Sequence, residues 1–193
     1  MPNPKILVIP GSLRTGSHNA KLAALAAKEL ALAEAEVVRI SLEDYPLPLF
    51  DADLTADAGP PQAAVQLKRL FMAHQGIFIS SPEYSASVTP LVKNTIDWIS
   101  RVRERGEPTY AAFKGRVFAL GAATSGGGGG LRSLMALRQI LELGCGALVI
   151  PEQIMVPRAE QAFDDMDNLK DETLAASLKT VARRLVTLAS VMG

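Results

Sequence analysis

At 193 residues the chain is long enough to bury a core without disulfides or bound metal, and residues 1–193 are read as one domain. Lysine plus arginine number 20, as do aspartate plus glutamate; this balance provides no positive field for nucleic acid and makes a small molecule the expected partner. The one cysteine, Cys145, excludes an internal disulfide and fits a reducing, cytoplasmic compartment, and no uncharged apolar stretch of about 18 residues calls for a membrane.

Ile6 to Ile9 form an apolar run stopped by Pro10-Gly11, and the alanine-rich stretch from Asn19 to Ala35 follows. That order predicts a buried strand feeding a helix through a tight turn. Glu36 to Leu42 alternate as a second strand, which Tyr45-Pro46-Leu47-Pro48-Leu49 cannot continue. Asp51 to Gly59 read as an exposed loop, with Pro60 or Pro61 in the first turn of a helix reaching about His74. Gly76 to Ser80 are the third strand, broken by Pro82-Glu83-Tyr84; from about Thr89 a helical pattern places Leu91, Thr95, Trp98, Ile99 and Val102 on one face. Val117 to Ala122 are the fourth strand, leading into Thr124-Ser125 and five glycines. Leu131 to Leu143 read as a helix, Ala147 to Ile150 as a fifth strand closed by Pro151, and Leu169 to Leu188 as an amphipathic terminal helix.

Five strands alternating with five helices predict an open, all-parallel sheet covered on both faces, a three-layer α/β sandwich with too few repeats for a closed barrel. In such sheets the ligand binds beyond the carboxyl ends of the strands, near the switch in strand order. The polar and glycine-rich segments after strands one, three and four all fall at that edge.

The first of these, residues 11–19, suits a single phosphate. Gly11 and Gly16 permit tight turns, Ser12, Thr15 and Ser17 offer hydroxyls, Asn19 an amide and Arg14 a full charge, all before a helix N-terminus. Ser17 occupies the lysine position of a Walker loop, and Leu13 the second glycine of the dinucleotide fingerprint, so monophosphate is the better match. His18 reads as a solvated first-turn side chain or a ligand contact. In the second segment Pro82 stiffens the strand exit, Tyr84 offers an aromatic surface, and Thr89 with Pro90 can start the following helix. In the third, Thr124-Ser125 lead into Gly126 through Gly130, which remove side chains and let a ring approach the backbone. Trp98 reads as packing, and Arg101, Arg103 and Arg105 as a solvated face. Arg132 is a further candidate to reach a phosphate or ring oxygen. Hydrolase motifs and a histidine- or thiolate-rich metal site are missing, and so few proton-transfer groups point to a cofactor that carries the reaction.

Gly11-Ser12-Leu13-Arg14-x-x-Ser17-x-Asn19, the run from Pro82 through Trp98 and the glycines after Thr124 resemble the NADPH-dependent FMN reductase family, with its quinone, chromate and azo-dye reductase members, over about residues 5–155. The resemblance implies a flavodoxin-like fold, FMN as cofactor, NADPH or NADH as electron donor, and a homodimer that can pair into a tetramer. It implies that Ser12, Arg14, Ser17 and Asn19 hold the FMN phosphate and that Pro82, Glu83, Tyr84 and Ser85 line the isoalloxazine. Ser125, Gly126 and Gly127 would then meet the flavin rim. Hydride would pass from the nicotinamide to flavin N5 and on to a quinone, free flavin, chromate or azo compound, so no side chain is expected to be catalytic. Ser85 stands where the family often has asparagine. The alternative is a flavodoxin-like electron carrier reduced by a protein partner, against which the balanced charge counts.

Overall fold

The computed structural model describes residues 3–54 and 59–192; residues 55–58 of the expected loop lie outside it. Five strands, β1 (Lys5–Pro10), β2 (Glu36–Arg39), β3 (Gly76–Ser80), β4 (Val117–Ala123) and β5 (Leu148–Val156), form one parallel sheet in the order β2-β1-β3-β4-β5. The apolar runs become strands because a parallel sheet covered on both faces buries every position: β3 and β4 are buried throughout, and edge strand β2 is largely exposed. Alternate residues serve opposite layers. Leu7, Ile9, Ile77, Ile79, Phe118 and Leu120 face helices α2 (Gln62–Met72), α3 (Pro90–Arg101) and α4 (Leu131–Gln139). Ile6, Val8, Phe78, Val117 and Ala119 face α1 (His18–Leu32) and the terminal helix, α6 (Glu172–Ala189), with short α5 (Ala159–Ala162) between β5 and α6. This is the three-layer sandwich the sequence predicts.

The third helix begins as expected: Thr89 accepts from the Val92 N–H at 3.3 Å, with Pro90 in the first position. Trp98, fully buried, donates from Nε1 to the Pro48 carbonyl at 2.7 Å; Asn94 donates to the same carbonyl and accepts from the Phe50 N–H. The polar side chains of α3 therefore fasten the segment after β2. Burial pushes the Cys145 thiol up to about 11, which suits inert packing.

Several boundaries differ from the sequence reading: α1 ends at Leu32 instead of Ala35, and the terminal helix starts at Glu172, with Leu169 bridging to Phe163. β2 ends at Arg39, and residues Leu42–Asp44 form a 3-10 turn. The helix after the glycine run is α-helical only to Gln139 and continues through a π turn, Ile140–Gly144. Pro151 does not close β5. Val149 pairs with Phe118 and Gln153 with Leu120, so residues 150–152 bulge from an edge strand, where a missing N–H is tolerated. The strand then runs on to Val156, beside the glycine segment. No described helix is long and apolar enough to cross a membrane, and no described cluster of His, Cys, Asp or Glu could hold a metal ion.

Candidate functional site

The strand order reverses between β1 and β3, and the loops after β1, β3 and β4 meet there around a cavity of about 410 Å³, within the range of small-molecule sites. Ten of the eleven candidate residues line it: Ser12, Arg14, Ser17, Asn19, Pro82, Glu83, Tyr84, Ser125, Gly126 and Gly127. Ser85 does not. His18, Thr124, Gly128, Gly130 and Arg132 complete most of the wall.

In the first loop, Gly16 takes a φ of 68° and the Ser17 N–H donates to the Arg14 carbonyl at 3.0 Å, which reverses the chain into α1. Ser17 caps that helix, its Oγ accepting from the Asn19 and Ala20 N–H groups at 3.2 and 3.4 Å. Its own hydroxyl proton is left to donate. Among the described residues the Arg14 guanidinium makes only a long bond to the Gly16 carbonyl, 3.4 Å, so its charge stays available to the cavity. Asn19 behaves differently from the sequence reading. Buried at the start of α1, its Oδ1 accepts from Ser80 Oγ and the Ala123 N–H, both at 2.9 Å, and its Nδ2 donates to the Ala123 carbonyl at 2.7 Å. It clasps the ends of β3 and β4, and one Nδ2 proton remains for a ligand.

The second loop is tied to the protein. The Glu83 carboxylate accepts from the backbone N–H groups of Arg132 and Ser133, at 3.1 and 3.3 Å, and pairs with the Arg132 guanidinium. Those amides belong to the first turn of α4, whose cap residue, Gly130, has no side chain to accept them. Glu83 is thus the helix cap, supplied from another loop. Burial pushes its carboxyl up, but the bonds from Arg132 and Ser133 outweigh it and hold the group below the usual range. Arg132 accordingly reaches Glu83, where the sequence suggested a phosphate or ring oxygen. Tyr84, half exposed, borders the cavity and exchanges backbone bonds with Ser87 at 3.0 and 2.9 Å. Between them Ser85 and Ala86 have φ of 47° and 62°, the left-handed pair of a tight hairpin turn. That placement keeps Ser85 off the cavity wall. Asparagine tolerates this region of φ better than serine.

The glycine run divides in two. Gly129 and Gly130 have φ of 60° and 87°, and a Cβ at Gly130 would lie 2.4 Å from the Ala122 Cβ, so the fold itself requires them. A Cβ on Gly126, Gly127 or Gly128 would meet no atom of the described residues beyond its chain neighbours within 4 Å. Nothing in the chain needs those three to be glycine, and all three line the cavity. The extended β5 holds this loop: the Thr124 N–H donates to the Val156 carbonyl, the Arg158 N–H to the Gly126 carbonyl, and Ser125 Oγ to Glu160. The Arg101, Arg103 and Arg105 cluster lies elsewhere, because α3 starts beside the cavity and carries the chain roughly 18 Å away over its twelve residues.

This strand order, with three loops meeting around one cavity at the switch point, defines an α/β protein of flavodoxin-like architecture. The model of the family described as NADPH-dependent FMN reductase matches residues 4–161, and the chain belongs to that family. An NAD(P)H-dependent FMN reductase of Pseudomonas aeruginosa is 34% identical over 170 residues, 87% of this chain and 85% of the relative. A quinone reductase of Escherichia coli is 34% identical over 138 residues, 71% and 69% of the two chains. Among solved structures, the flavoenzyme NAD(P)H:(acceptor) oxidoreductase FerB of Paracoccus denitrificans superposes with a TM-score of 0.79 at 28% identity, covering 98% of this chain and 99% of that one. The chain is an oxidoreductase of this NAD(P)H- and FMN-dependent class.

Proposed function

We propose that the cavity holds FMN with its phosphate on residues 12–19 and its ring between residues 82–84 and 125–127, and that the chain uses NADPH or NADH to reduce a small acceptor of the quinone type. The observation that carries this reading is the convergence of Arg14 and the α1 N-terminus with Gly126, Gly127 and Gly128 on one cavity. The residues present fit the group: a dianion meets a charge and hydroxyl donors, and a flat ring meets backbone no Cβ obstructs. When bound, FMN supplies the atom that takes up a hydride and the electrons passed to the acceptor.

The side chains position and enclose. Ser12, Ser17 and the remaining Asn19 proton donate to phosphate oxygens, and Arg14 supplies the counter-charge. Tyr84 gives the ring an aromatic neighbour, and the Glu83–Arg132 pair fixes the spacing between the two walls. Glu83 is committed to α4, so proton transfer by this carboxylate is not part of the reading. The same reading takes the chain as one FMN-binding unit, acting in the cytoplasm as a homodimer or a dimer of dimers. Exposed Leu131 and Met135 on α4, with Leu143 and Leu148 beyond it, offer the apolar surface for a partner copy, and a one-chain mass by light scattering would reject that part. The quinone acceptor follows the names of the relatives.

The test is flavin binding followed by steady-state turnover with NADPH and a benzoquinone. Tight FMN binding with rapid quinone loss is expected. Arg14→Ala should weaken FMN by about tenfold or more, the scale of one charged hydrogen bond, and leave riboflavin unaffected. Equal losses for both flavins would move the phosphate away from this loop, and bound FMN that no nicotinamide reduces would favour the electron carrier.

A further inference from the structure

His18 opens α1 and lines the cavity beside Arg14 and Ser17. Its ring lies parallel to that of Phe163, with 5° between planes and 6.1 Å between centroids. The Nδ1 atom is buried there with no hydrogen-bond partner among the described residues. This enclosure decides the tautomer. A proton on Nδ1 would be a buried donor without an acceptor, a costly arrangement that the ring avoids by carrying its proton on Nε2, the nitrogen not enclosed. The charged groups facing the ring are Arg14 from the loop, Lys21 from α1 and Glu160 from α5, with Lys21 itself paired to Asp167 and lying over Phe163. Burial first, then Arg14 and Lys21, hold the imidazole below the ordinary histidine value, and Glu160 opposes them.

We infer that His18 is a positioning and specificity residue for the phosphate: a neutral imidazole, its plane set by Phe163, that donates through Nε2–H to a phosphate oxygen while Arg14 carries the opposing charge. The inference rests on the proposed FMN site. It assigns different tasks to two neighbouring side chains, direction to His18 and charge to Arg14. A histidine cation would add attraction, but it would leave a buried Nδ1–H unpaired. The phosphate dianion itself favours the cation, so in the loaded site the enclosed, unpartnered Nδ1 is what keeps the ring neutral.

Two measurements test it. Nitrogen–proton correlation spectra of the histidine rings in the FMN-loaded protein, with a His74→Gln variant to assign the two signals, read the tautomer directly. Between about pH 6.5 and 8 we expect His18 protonated on Nε2 and bare on Nδ1; an imidazolium, or a proton on Nδ1 alone, overturns the inference. FMN and riboflavin affinities of His18→Gln, His18→Asn and His18→Phe read the contact, since a glutamine amide reaches the position of Nε2 and an asparagine amide that of Nδ1. Glutamine should keep the preference for FMN within about twofold, while asparagine and phenylalanine lose about tenfold for FMN and nothing for riboflavin. An unchanged preference in His18→Phe overturns the role of His18 and leaves the FMN site standing. A wild-type protein that binds neither flavin overturns the site itself.

Discussion

The loops after β1 and β3 look alike in sequence, each polar, serine-bearing and followed by a helix, yet they use their polar groups in opposite ways. Ser12, Arg14 and the hydroxyl proton of Ser17 remain turned to the cavity. Glu83 caps α4, Thr89 caps α3 and donates to the Gly11 carbonyl, and Ser85 forms a turn. The first loop leaves its polar groups facing the cavity; the second is a brace that presents one aromatic ring. Asn19 belongs to the bracing class although it sits in the first loop.

The largest expected effect separates those classes at Asn19. Asn19→Ala leaves Ser80 Oγ and both Ala123 backbone groups without their buried partner, and thermal or urea unfolding should show a loss of about 2–4 kcal/mol. A variant as stable as wild type, with FMN affinity alone reduced, would make Asn19 a ligand contact only and remove it from the braces. The glycine run provides the next contrast. Gly130→Ala forces a Cβ against Ala122 at a left-handed φ and should cost about 2 kcal/mol or more; Gly127→Ala should leave stability within about 0.5 kcal/mol and weaken FMN binding. Equal stability effects at the two positions would erase the division between structural and cavity-facing glycines.

Glu83 ranks third. Glu83→Gln should destabilise by about 1–2 kcal/mol at neutral pH, because a weaker acceptor faces Arg132 and the two α4 amides. The native carboxyl titrates below its unfolded value, so its contribution is fully present above the ordinary glutamate range and is lost as pH falls through the lowered folded value. The stability gap between wild type and variant should therefore narrow as pH falls below the ordinary glutamate range; a gap that stays constant with pH would show that Glu83 does not act as an ionised cap. The smallest effect lies in the hairpin, where Ala86→Gly should stabilise by about 0.5–1 kcal/mol by relieving a left-handed alanine. A loss of stability there would contradict the turn assignment.

Much of this architecture was legible in the residues, because buried parallel strands are continuous apolar runs and the glycine and proline breaks between them are local signals. β5 was cut short for the opposite reason: Pro151 is a breaker in isolation, and only pairing with β4 shows that it sits in an edge bulge. The first loop could be read as a candidate phosphate site from its own residue types. The commitments of Asn19 and Glu83 could not, since their partners lie 104 and 49 residues away. Nor could the turn at Ser85, which serine and alanine occupy without the asparagine or glycine that would announce it.

The most direct test of the account is an anaerobic titration of the FMN-loaded protein with NADPH and, separately, NADH, following flavin bleaching near ~450 nm. The account predicts rapid, complete bleaching on mixing with at least one donor and recovery of the yellow colour on adding a benzoquinone. Stable FMN binding with no bleaching by either donor would contradict the nicotinamide-dependent activity, and failure to bind FMN at all would contradict the site.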